Sequence, residues 1–134
     1  EYLSSKLPRL GLFDEGNDFV YVHVEGPDES SHAGSLEDKI ACIENIDSRI
    51  VKPIVEGLRE RGEDFRVLIA PDHRTPLAIR THSSDPVPFV IYDSRNELPE
   101  DERKQFNERA AIATGVYVDE AFKLTDMLFE KMKY

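Results

Sequence analysis

The sequence predicts an α/β domain with a partly parallel sheet, and three observations carry that prediction. Short runs of alternating or wholly apolar residues at 18–25, 65–70 and 87–92 have the length and β-branched content of strands. A long stretch from Leu36 to Leu58 repeats apolar residues at spacings of three and four, the period of a helix. The two kinds of segment alternate along the chain, as they do where helices cover a sheet.

Residues 1–17 hold Tyr2, Leu3, Leu7, Leu10, Leu12 and Phe13, broken by Pro8, Gly11 and Gly16, and read as a short helix or irregular lead-in. Asp18–Glu25 reads as a central strand, with Phe19, Tyr21, His23 and Glu25 alternating with Val20, Val22 and Val24. Gly26-Pro27 stops it, and a polar loop runs to Gly34. Ser35 is placed to cap a helix whose first turn carries Glu37 and Asp38. Along that helix Leu36, Ile40, Ile43, Asp47, Ile50, Ile54 and Leu58 share one face. Pro53 is expected to kink or split it near residues 49–52, and Gly62 to end it.

Phe65–Ala70 is the second predicted strand and Val87–Tyr92 the third, with Pro88 at its start or on an edge. Residues 93–104 are charged and read as a solvated loop. Phe106–Gly115 predicts a short helix ended by its glycine. Asp119 is expected to cap a last helix with Phe122, Met127, Leu128, Phe129 and Met132 on its apolar face.

Composition narrows the function. At 134 residues with a formal net charge of -10, the chain has one domain's length and lacks the gathered cationic face of a nucleic-acid binder. The single cysteine, Cys42, lies among isoleucines and reads as a buried structural thiol. No apolar run approaches membrane-spanning length, so no membrane partner is expected.

The chemistry-bearing residues gather in two places. Residues 71–89 hold Asp72, His73, His82, Asp85 and four prolines, just beyond the second strand. Asp28 and His32 follow the first strand at a spacing of four, which would place both on one face of a helical turn. Three of the four histidines therefore lie in predicted loops at strand ends beside aspartates. Ligands collect beyond the carboxyl ends of strands in open α/β sheets. Imidazole with carboxylate suits Mn²⁺, Zn²⁺ or Fe²⁺ better than Ca²⁺ or a thiolate zinc site. The competing reading is a proline-rich polar surface loop. His23 reads as a hydrogen-bonded strand histidine, and Arg80 as a surface partner of Asp85 rather than an anion ligand. Ser30, Ser31, Ser83 and Ser84 lack the strand–nucleophile–helix setting of a hydrolase serine.

Three blocks, His23–Gly34, Pro71–Pro76 and Arg80–Phe89, resemble in sequence and order those of the cofactor-independent (2,3-bisphosphoglycerate-independent) phosphoglycerate mutases of archaeal type. That family lies within the alkaline phosphatase superfamily. Gly26 and Ser30-Ser31 depart slightly from the first block and leave Asp28 and His32 in place.

The resemblance implies a partial alkaline-phosphatase-like three-layer sandwich, with a mostly parallel sheet and flanking helices. It implies two divalent metal ions, Mn²⁺ first, with Zn²⁺, Mg²⁺ or Fe²⁺ as alternatives. Asp28, His32 and His82 would hold one ion. Asp72 and His73 would hold the other, together with an aspartate and a nucleophilic serine that this chain does not supply. Residues 1–134 would then be the C-terminal part of the metal-binding domain, without its N-terminal part and inserted substrate domain. The implied activity is cytoplasmic and glycolytic: interconversion of 3- and 2-phosphoglycerate through a phosphoserine, with the isolated piece inactive. The small phosphorylated substrate would meet only the full-length protein, and a sheet edge left exposed would favour self-association. Two alternatives remain: a phosphatase or phosphodiesterase with the same ligands, and a non-catalytic interaction module.

Overall fold

The computed structural model describes residues 16–102 and 104–129. The lead-in expected over 1–17 falls almost wholly outside them, as does Met132. The chain divides into two compact units. One comprises Glu1–Glu63 with Thr75–His82, and the other Asp64–Arg74 with Ser83–Tyr134.

In the first unit, residues 18–25 alternate as the sequence predicts. Phe19, Tyr21, His23 and Glu25 are exposed, while Val20, Val22 and Val24 are half-buried. They do not form the expected strand. A strand exists through the ladder it joins, and the ladder among the described residues is formed by two later segments. His23 accordingly lies not in a sheet but beside Glu25, at 3.6 Å, with its ring stacked on Tyr21.

The expected loop after Gly26 is a helix, α1 (Gly26–Ala33). Pro27 and the acids Asp28 and Glu29 occupy its first turn, where a missing N–H is harmless and negative charge meets the positive end of the helix dipole. Gly34 ends it at φ 76°, a conformation open to glycine, with its N–H bonded back to Ser30 and Ser31 carbonyls.

Helix α2 (Leu36–Ile46) begins as predicted. Ser35 is its cap, and its side chain accepts from the Asp38 N–H at 3.3 Å. Pro53 splits the long helix, and the break takes the form of a π turn over Asp47–Val51. Pro53 has no N–H for the Arg49 carbonyl and its ring crowds that carbonyl. The helix widens by one residue, so that Lys52 N–H reaches Asp47 O. Pro53 then sits harmlessly in the first turn of α3 (Lys52–Glu60), which Gly62 follows at φ 69°. The apolar face divides unevenly. Ile50 and Leu58 are buried, at 7% and 3% exposure, whereas Leu36, Ile40 and Ile43 are about half exposed. Cys42 is only half-buried, against the expected core thiol.

In the second unit, β1 (Arg66–Ile69) and β2 (Val90–Asp93) pair antiparallel, with Arg66 opposite Asp93 and Ile69 opposite Val90. The expected mostly parallel sheet and three layers are not seen among the described residues, where this two-stranded ladder is the sheet. A parallel return needs a crossover, usually a helix, and none lies between these strands. Pro88 keeps the start of the third predicted run out of the ladder.

Arg66 donates from Nε to Asp93 Oδ2 at 2.7 Å and from an Nη to the Met127 and Leu128 carbonyls, ending α5 (Lys123–Leu128). Among the described residues of this unit, Met127 is the buried apolar side chain. Helix α4 (Glu108–Ala113) is capped by Asn107 and followed by Gly115 at φ 71°. Asp119 does not cap α5. It lies too far ahead of Lys123 N–H and accepts instead from the Lys123 ammonium at 2.6 Å.

Candidate metal centre

The first unit brings Asp28, His32 and His82 together. Asp28 and His32 are one helical turn apart on α1, so both project from the same face. His82 arrives from a separate segment, Thr75–His82, which opens with a turn in which Arg80 N–H bonds to the Pro76 carbonyl at 2.9 Å.

The three side chains face one another. His32 Nε2 lies 3.3 Å from Asp28 Oδ2, His82 Nε2 lies 3.4 Å from Asp28 Oδ1, and the two Nε2 atoms are 3.2 Å apart. Donors about 2.1 Å from one ion, at tetrahedral angles, sit about 3.4 Å from each other. With one donor atom from each residue, all within 4.8 Å of one another, the set could close on an ion, and it is the mixed imidazole–carboxylate type that first-row divalent metals accept. The side chains are 34%, 43% and 51% exposed, so water and solute reach them.

Outer bonds fix how the donors point. His32 Nδ1–H donates to the Arg80 carbonyl at 2.9 Å, which leaves the Nε2 lone pair directed at Asp28 and His82. Arg80 holds that carbonyl in place from a left-handed conformation, φ 52°. Its guanidinium lies over Gly34, where a Cβ would come within 2.5 Å of Arg80 Nε. Arg80 is therefore not the partner of Asp85 that its sequence position suggests. Asp85 accepts from Ser83 at 2.7 Å and faces Arg74 at 3.7 Å.

Asp72 and His73, the other predicted ligands, belong to the second unit. They form a pair of their own. His73 Nε2 lies 3.4 Å from Asp72 Oδ2, and the His73 N–H donates to Asp72 Oδ1 at 3.0 Å. Ser30 and Ser31 are hydrogen-bonded within α1, their hydroxyls donating to the Gly26 and Pro27 carbonyls one turn back.

Two residues escape the sequence reading. Thr75 is 5% exposed and its hydroxyl donates to Asp28 Oδ1 at 2.5 Å. Lys39 on α2 donates to the Thr75 carbonyl at 2.9 Å. Neither has a sequence signal. A threonine before a proline looks like any turn residue until its burial is seen. The helical state of α1 was detectable, since Pro27, two first-turn acids and Gly34 are a start and a stop in the right order.

An aspartate and two histidines whose ligand atoms lie within 4.8 Å of one another form a group that could hold a metal ion. Residues 10–118 match the Metalloenzyme superfamily, and the chain belongs to that family. It is 41% identical over 118 residues to a probable 2,3-bisphosphoglycerate-independent phosphoglycerate mutase of Geobacter sulfurreducens, a match covering 87% of this chain and 29% of that protein. It is 56% identical over 77 residues to the 2,3-bisphosphoglycerate-independent phosphoglycerate mutase of Methanothrix thermoacetophila, covering 58% of this chain and 20% of the relative. A third relative, from Methanosarcina mazei and of the same name, is 44% identical over 98 residues, covering 73% and 24%. The chain thus spans less than a third of the length of these curated relatives. No solved structure matches it.

Proposed function

We propose that this chain is the C-terminal part of the metal-binding domain of a phosphoglycerate mutase that interconverts 3- and 2-phosphoglycerate. The convergence of Asp28, His32 and His82 carries the reading, and the names of the similar proteins supply the substrate. These three side chains would hold one divalent cation, and Asp72 with His73 would contribute to a second. When bound, such ions, Mn²⁺ first among them, lower the pKa of a nucleophilic hydroxyl and offset the charge of a phosphoryl group in transfer.

The chain's own contribution is to hold donors in register. Asp28 supplies the negative charge. His32 offers Nε2 because Nδ1 is committed to Arg80. His82 completes the set from an independent segment. Neither the nucleophilic serine nor the remaining aspartate ligand is assigned to this chain, so the isolated piece would not turn over. The whole protein would act in the cytoplasm on a small phosphorylated substrate. The outer edges of the β1–β2 ladder would favour self-association in the piece alone.

The test is conversion of 3- to 2-phosphoglycerate by the full-length protein with Mn²⁺. The expected result is turnover that falls by about 100-fold or more in Asp28→Ala and His82→Ala. Release of inorganic phosphate without isomerisation would overturn the mutase reading. Turnover by the 134-residue piece alone would overturn the claim that its site is incomplete.

A further inference from the structure

The bonds around Asp28 extend outward to side chains that are not themselves ligands. Thr75 is almost fully buried, and its hydroxyl donates to Asp28 Oδ1 at 2.5 Å. That same oxygen faces His82 Nε2 at 3.4 Å. Its backbone is held in turn, because Lys39 Nζ donates to the Thr75 carbonyl at 2.9 Å. Five residues further on, the Arg80 carbonyl takes the Nδ1–H of His32. One short segment therefore touches all three donors: through a hydroxyl at its start, a carbonyl near its end, and His82 itself.

We propose that Thr75 is a positioning residue for the cation of this site: its hydroxyl, anchored by Lys39, sets the direction in which the Asp28 carboxylate faces the two imidazoles. The inference rests on the reading of Asp28, His32 and His82 as a metal site. A carboxylate on a single χ1–χ2 pair can swing. A donor fixed to one of its oxygens removes that freedom, so less order is lost when the ion binds. A hydroxyl suits the task because it has one proton to give and carries no charge to compete with the ion. Serine can donate the same bond, whereas valine keeps the shape and cannot.

Mn²⁺ binding to the full-length protein tests this, measured by the electron paramagnetic resonance of free Mn²⁺. The relevant site is the equivalent lost in His82→Ala, and Co²⁺ substitution gives its visible spectrum. Thr75→Val is expected to weaken that equivalent about 10–100-fold and to alter the Co²⁺ bands, while Thr75→Ser stays within about threefold of wild type. Lys39→Met, which keeps the hydroxyl and cuts its anchor, is expected to weaken binding by about 3–10-fold. It serves as the second test should Thr75→Val not fold. Unchanged affinity and spectrum in folded Thr75→Val or in Lys39→Met, or a serine variant as weak as valine, would overturn the proposal. A wild-type protein that takes up no Mn²⁺ or Co²⁺ would overturn the metal reading itself, and this inference with it.

Discussion

Replacing Arg66 by methionine should cost about 3 kcal/mol of stability, because three bonds converge on one guanidinium. Arg66 lies opposite Asp93 in the ladder, and its Nε reaches Asp93 Oδ2 at 2.7 Å with both side chains at most 20% exposed. A charge-assisted bond of this kind contributes about 2 kcal/mol net. Its bonds to the Met127 and Leu128 carbonyls, at 3.3 and 3.1 Å, tie α5 to β1 and add about 1 kcal/mol. Asp93 is not stranded by the change, because Arg95 also donates to both of its oxygens. Methionine keeps the apolar stem in place, so the loss belongs to the bonds.

The carboxyl of Asp93 is held well below the usual carboxylate range, chiefly by the Arg95 side chain, with burial opposing and the Arg95 N–H and Arg66 assisting. A depressed folded pKa stabilises the native state above the unfolded value of about 3.9, and that stabilisation fades as pH falls through the folded value. Thermal denaturation followed by circular dichroism should show Arg66→Met melting roughly 10 °C lower at neutral pH. Asp93→Asn should flatten the decline in stability below about pH 4. A neutral-pH loss for Arg66→Met under about 2 °C, or an unaltered acid limb in Asp93→Asn, would refute the reasoning.

Two further substitutions probe the first unit. Ser35→Ala removes the acceptor of the Asp38 N–H and should cost about 1 kcal/mol in a thermal melt. Gly34→Ala should be worse than Gly115→Ala. Both add a side chain at positive φ, costing about 1–2 kcal/mol, but only at Gly34 does the new Cβ meet the Arg80 guanidinium. Moving Arg80 disturbs the acceptor of His32, so Gly34→Ala should also weaken Mn²⁺ binding, while Gly115→Ala should leave it unchanged.

The sequence revealed the local features of this fold more fully than its pairings. Ser35, Pro53, Gly62, Asn107–Gly115 and the runs at 66–69 and 90–93 act through neighbours in the chain, so their effects can be read from order alone. Residues 18–25 carry every strand signal and still join no ladder among the described residues, because pairing depends on what lies alongside. Asp28 and His32 were legible from their spacing. That His82, fifty positions after His32, meets them is a tertiary fact, anticipated here by family resemblance rather than by periodicity. Thr75, Lys39 and the Arg80 carbonyl were illegible, since a buried hydroxyl and a backbone oxygen leave no mark in composition. The parallel sheet is not seen among the described residues, where β1 and β2 pair antiparallel; strand direction depends on the connection, and the proline-rich one between them contains no helix.

The most direct test of the central claim is the position of the ion. Anomalous diffraction at the manganese edge, from crystals of the full-length protein grown with Mn²⁺, should show a peak about 2.0–2.3 Å from an Asp28 carboxylate oxygen and from Nε2 of both His32 and His82. An ion bound elsewhere while this trio stays empty, or one bonded to His32 through Nδ1, would contradict the account.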